Sequence, residues 1–133
     1  MSLSAFLDKI NYGYDGVLYE VHFTNDLRDI KLTTFVQDEI GNRIVLDIFL
    51  SDIKECKLSQ VNGNNFSWLT DGIKYKEMGG FHCLTITVND EVDEIETIDI
   101  FKDTEVYFIA GNLTYQVTPY DEKMWPLIFK SKK

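Results

Sequence analysis

Apolar and polar residues alternate along most of this chain with a period of two, the period of a strand that buries one face. In VLYEVHFT (17–24), Val17, Tyr19, Val21 and Phe23 share one face, with Glu20, His22 and Thr24 on the other. LRDIKLTTFVQ (27–37) sets Ile30 and Leu32 opposite Asp29 and Lys31, and NRIVLDIFL (42–50) aligns Ile44, Leu46, Ile48 and Leu50. β-Branched and aromatic residues dominate these runs, as strands favour. Between the second and third, Gly41-Asn42 in DEIGNR can supply the positive φ of a tight hairpin.

IKECKL (53–58) predicts a fourth strand, which ends at the turn cluster NGNN (62–65). FSWL and GIKYKEM are shorter strand candidates on either side of Thr70-Asp71-Gly72, and Gly79-Gly80 precedes FHCLTITV (81–88). IETIDIF (95–101), EVYFIA (105–110) and LTYQV (113–117) follow, the last two separated by a second Gly-Asn turn at 111–112. Only the start departs from period two. Leu3, Phe6, Leu7 and Ile10 have helical spacing, and NYGYDG (11–16) then breaks the helix. Together these runs predict one globular domain over 1–133, mainly β (or α+β). It is an antiparallel β-sandwich or barrel of about 8–10 short strands with one short N-terminal helix. Ile30, Leu32, Ile44, Leu46, Ile48, Leu84, Ile86, Phe108 and Tyr115 are the expected core.

Composition agrees with a folded domain: 133 residues, 44% hydrophobic and 26% charged, are enough to bury a core without metal or disulfide. The net charge of −9 changes the picture more. It disfavours nucleic acid, which needs clustered Lys and Arg, and it disfavours anionic membranes. A basic protein partner suits it. With no apolar run of about 18 residues and no basic-then-apolar leader, a cytoplasmic protein is expected. Cys56 and Cys83 fit a reducing compartment and are expected to be thiols of low reactivity, shielded by packing.

The charge is concentrated. TVNDEVDEIETIDIFKD (87–103) carries Asp90, Glu91, Asp93, Glu94, Glu96, Asp99 and Asp103 against Lys102 alone. A calcium loop needs Gly at its sixth position, where a frame starting at Asp90 has Ile95. The stretch therefore reads as an exposed turn between strands, with Asp90, Glu91, Asp93 and Glu94 as the partner-binding candidates. No catalytic, cofactor-binding or metal-binding residue is expected. His82 and Cys83 are neighbours on a strand, so they diverge to opposite faces and form no dyad. His22 belongs to an exposed face with Glu20. Zinc held by His22, Cys56, His82 and Cys83 would lack the paired short spacing of a metal knuckle. Trp68 and the tyrosines of NYGYDG could stack a flat ligand or cap a barrel end. In YDEKMWPLIF (120–129), the apolar arm either packs on its own core or meets a second subunit, giving a monomer or a homodimer.

The segment IKLTTFVQDEIGNRIVLDIFLSDIKECKL (30–58) resembles small uncharacterised bacterial β-proteins, among them immunity proteins that guard cells against their own polymorphic toxins. The likeness lies in a strand, a polar hairpin, a strand of alternating aliphatics and a strand reaching back. The resemblance implies an acidic cytosolic inhibitor that blocks a basic toxin by binding and has no catalytic residues. Two other readings stand beside it. One is a small-ligand-binding β-barrel, and the other an assembly or structural subunit such as a phage-related protein.

Overall fold

Among the described residues one α-helix forms, α1 (Leu3–Lys9), capped by the Ser2 side chain, which accepts from the Ala5 amide at 3.1 Å. Leu3, Leu7 and Ile10 are buried, and Phe6 stacks on Tyr115. Asn11, Tyr12 and Gly13 then take positive φ in succession, which ends the helix. Tyr12 is held there by its hydroxyl on Asp8 and by its carbonyl, which accepts from the Ile73 amide at 2.6 Å. The computed structural model describes residues 2–13, 16–24, 26, 28–58, 67–69, 72–86 and 106–120. Among them no helix is long and apolar enough to cross a membrane.

The described strands are β1 (Gly16–Thr24), β2 (Asp29–Gln37), β3 (Arg43–Leu58), β4 (Ser67–Leu69), β5 (Lys74–Met78), β6 (Phe81–Thr85) and β7 (Val106–Pro119). They form one open sheet in the order β4-β1-β2-β3-β7-β6-β5, with every neighbouring pair antiparallel. The expected mainly β architecture with one short helix is what the chain adopts.

Among the described residues, two pairs of expected short strands are each one long strand. The runs 42–50 and 53–58 are one strand, β3, and it does not reach back after Leu50. Asp52 takes a φ of 56° and a bulge follows between Ile53 and Glu55, so the strand bends instead of ending. The runs 105–110 and 113–117 likewise merge into β7, and Gly111-Asn112 is no turn. Gly111 serves the bend. A Cβ there would lie 2.5 Å from Asp52 Oδ2 and 3.2 Å from Asp52 Cβ. The two long strands thus share a corner. Before it, Arg43–Leu50 of β3 pairs with β2 on its other side. Beyond it, Tyr107–Ala110 of β7 pairs with β6.

The two half-sheets enclose one core. Ile30, Leu32, Leu46, Ile48 and Leu50 from the first meet Leu84, Ile86, Val106 and Phe108 from the second, under Leu3 and Leu7 of α1. Of the expected core, Ile44 and Tyr115 are only half-buried and the other seven are buried. A further correction concerns β1, where the register slips between Leu18 and Glu20. Val17 and Tyr19 therefore pack outside with Phe35 and Val45, whereas Val21 and Phe23 pack inside. One extra residue reverses the face, as period two demands. The ends of the sheet order also approach one another. Leu69 closes β4 and Lys74 opens β5, so five Cα–Cα steps hold those edges within about 18 Å.

The candidate cleft

The sequence KYKEM in β5 places Tyr75 and Glu77 on one face and Lys74, Lys76 and Met78 on the other. Gly79 and Gly80, at φ 60° and 82°, make a two-residue hairpin of the primed type. That turn pairs Glu77 with His82 and Tyr75 with Leu84. Three polar groups thereby meet on the inner face near the edge of the sheet. The Tyr75 hydroxyl lies 2.6 Å from His82 Nδ1 and 3.2 Å from Glu77 Oε1, and His82 Nδ1 lies 3.9 Å from that same carboxylate oxygen.

Proton counting orders this chain. A carboxylate only accepts, and a phenol has one proton. Tyr75 donates to Glu77, so in that arrangement the phenolic oxygen can only accept from His82 Nδ1. Burial first, and then the Glu77 charge and hydrogen bond, push the Tyr75 phenol well above its ordinary range. Tyr75 therefore acts as a neutral donor. Its ring lies nearly parallel to that of His82, 16° apart, with centroids 5.9 Å apart.

These groups border an open cleft of about 650 Å³ between the β5–β6 hairpin, the start of α1 and the far half of β7. Leu3 and Leu113 give it apolar surface, and Ser2, Ser4, Thr114 and the Tyr115 ring complete the lining with Lys76. The Glu77 side chain is 70% exposed and that of His82 24% exposed, so the carboxylate stands at the mouth and the imidazole is set back.

The other candidate residues are dispersed. Asp90, Glu91, Asp93 and Glu94 lie outside the described residues, as do the expected strand 95–101 and the apolar arm 121–129. His22 sits 3.7 Å from Glu20 on an exposed face, both side chains about half exposed. His82 and Cys83 do diverge, His82 toward the cleft and Cys83 into an outer cluster with Tyr107 and Ile109. The shielding expected of both thiols holds for Cys83 alone. Cys56 is exposed because it lies on the stretch of β3 beyond the corner. Burial, and after it the charge of Glu55, still raises the Cys56 thiol above its ordinary value. Burial likewise raises Cys83. Among the described residues no three of His, Cys, Asp and Glu gather as a metal site.

Tyr75 and Glu77 escaped the sequence reading, although a signal was present. A two-residue Gly-Gly loop fixes its own register, and counting back from it sets Glu77 opposite His82. Comparison with protein-family models, with characterised proteins and with solved structures returns no match for this chain.

Proposed function

We propose that this is a non-enzymatic binding protein whose partner is a basic protein, in the manner of an immunity-type inhibitor of a toxin. The distribution of charge carries the reading. The described residues are nearly balanced, with ten carboxylates against eight basic side chains. The stretch 87–103 has seven carboxylates against one Lys. A surface made acidic only for solubility would spread its charge. Concentrated charge of one sign instead steers encounter with the opposite sign and selects the partner.

Capture from lysate with the wild-type chain should yield a basic protein at low salt. Replacing Asp90, Glu91, Asp93 and Glu94 together by Lys should then slow association at least about tenfold at low salt and leave folding intact. An unchanged on-rate would reduce the stretch to a solubilising segment. The cleft favours a second reading, a small-ligand-binding protein, because its mixture of apolar floor and convergent polar groups is the usual make-up of such sites. Saturable binding of a small molecule that is lost on filling the cleft with Ser4→Trp would support it.

A further inference from the structure

We propose that the cleft takes an organic cation, a guanidinium or alkylammonium group, against the Glu77 carboxylate and between the walls formed by Tyr75 and Tyr115. The inference rests on the small-ligand reading and names its chemistry.

The lining is rich in acceptors. Glu77 contributes one carboxylate oxygen to Tyr75 and leaves the other toward solvent, in a side chain that is mostly exposed. Ser2, Ser4 and Thr114 bring hydroxyl oxygens to the same cleft. Among the described lining residues Lys76 is the one fixed cation, and its position in β5 alternates to the face of Cys83, away from Glu77 and Tyr75.

Aromatic walls add to this. Tyrosine faces attract ammonium and guanidinium groups through the ring quadrupole, and more strongly where water is thinned out. The chain already uses that contact elsewhere, with Lys74 Nζ 4.5 Å from the Tyr12 ring centre and Lys31 Nζ 5.8 Å from that of Phe49. Tyr115 is braced by Phe6, its ring centroid 5.5 Å away, and Tyr75 by His82. Two rings held in place by packing lose little entropy when a ligand arrives. An anion would meet the Glu77 carboxylate at the mouth.

Butylguanidinium and its neutral isostere butylurea are the probes, followed by the side-chain signals of His82, Tyr75 and Tyr115 in the full-length protein. Butylguanidinium should shift all three saturably, with butylurea at least tenfold weaker. Glu77→Gln, at an exposed position that folding tolerates, should weaken the cation about tenfold and leave the urea unchanged. A capped Gly-Arg-Gly peptide separates the sources. Tighter binding of the peptide would assign the site to an Arg side chain of a protein partner, and tighter binding of butylguanidinium to a free amine or guanidine. Equal binding of butylurea, or a Glu77→Gln protein that binds the cation as before, would overturn the cation assignment and leave the small-ligand reading standing. No saturable shift with any probe would overturn both.

Discussion

The same sheet uses its inner face in two ways. In the first half-sheet, the row Phe23, Ile30, Leu50 and Leu113 crosses four strands in apolar residues alone. In the second, the row Ile53, Ala110, His82 and Glu77 runs from apolar to charged as it approaches the edge. The first row is buried at its centre, Ile30 and Leu50, and its ends pack against the shared core. The second ends on β5, last in the sheet order, where water can reach the carboxylate. Position in the sheet thus decides whether an inward side chain is core or candidate site. A carboxylate at Leu50 would be buried without a partner, whereas at Glu77 it costs little.

The largest effects should come from the shared core. Phe108→Ala is expected to destabilise by about 3–5 kcal/mol and Leu46→Ala by about 2–5 kcal/mol, through lost burial and a residual cavity. Glu77→Ala should change stability by under about 0.5 kcal/mol. Urea midpoints measure all three, and a Glu77 effect as large as that at Leu46 would erase the distinction between core and edge.

Gly72→Ala probes the joint between the sheet's two ends. Gly72 sits at φ 76°, and a Cβ there would lie 2.7 Å from the Tyr12 carbonyl oxygen. Left-handed strain and a backbone clash should together cost about 2–4 kcal/mol. A loss below about 1 kcal/mol would show that the joint yields easily.

Alkaline unfolding sharpens the contrast between the inner rim and the outer face. Burial first, then the hydrogen bond and charge of Glu55, push the buried Tyr107 up to about 12 from 10.0. Its folded-state value exceeds its unfolded one, so the folded protein holds the proton longer. That contribution is complete below about pH 10 and is lost as the pH rises toward about 12. Tyr107→Phe should flatten the fall in stability across this window, and an unchanged slope would remove Tyr107 as its source.

The smallest expected effect concerns the thiols. Iodoacetamide should modify Cys56 in the folded protein, slowly and faster as the pH rises, because its thiol is exposed but raised. Cys83 should react only with denaturant present. Equal rates would mean that the outer cluster around Cys83 opens in the native state.

Much of the fold was legible in the chain itself. Period-two alternation located β1, β2 and both arms of β3, and helical spacing found the α1 face of Leu3, Leu7 and Ile10. The breaks in that pattern were not legible. At Tyr19 an extra residue turns Val17 outward, and nothing local in VLYEV distinguishes a bulge from a regular strand. At Gly111 the residue type was read as a turn, when Gly stands there because Asp52, from a distant stretch of the same sheet, fills the space of a Cβ. The cleft suffered from the same gap. Glu77 and His82 are joined by a local hairpin and could have been paired, but Ser2, Tyr115 and Tyr75 converge only once the corner has folded one half-sheet toward the other.

The sequence by itself therefore determined which residues alternate, where the short helix begins and ends, the acidity, and its concentration at 87–103. These are properties of side chains and their immediate neighbours, set by pleat geometry, capping and charge. Only the tertiary structure decided that four expected strands are two, that one sheet bends over a shared core, and that a phenol, an imidazole and a carboxylate meet at its edge. Those outcomes depend on register between stretches far apart in the chain. Register is selected by which whole faces can be buried together, a sum over the sheet that no single stretch contains.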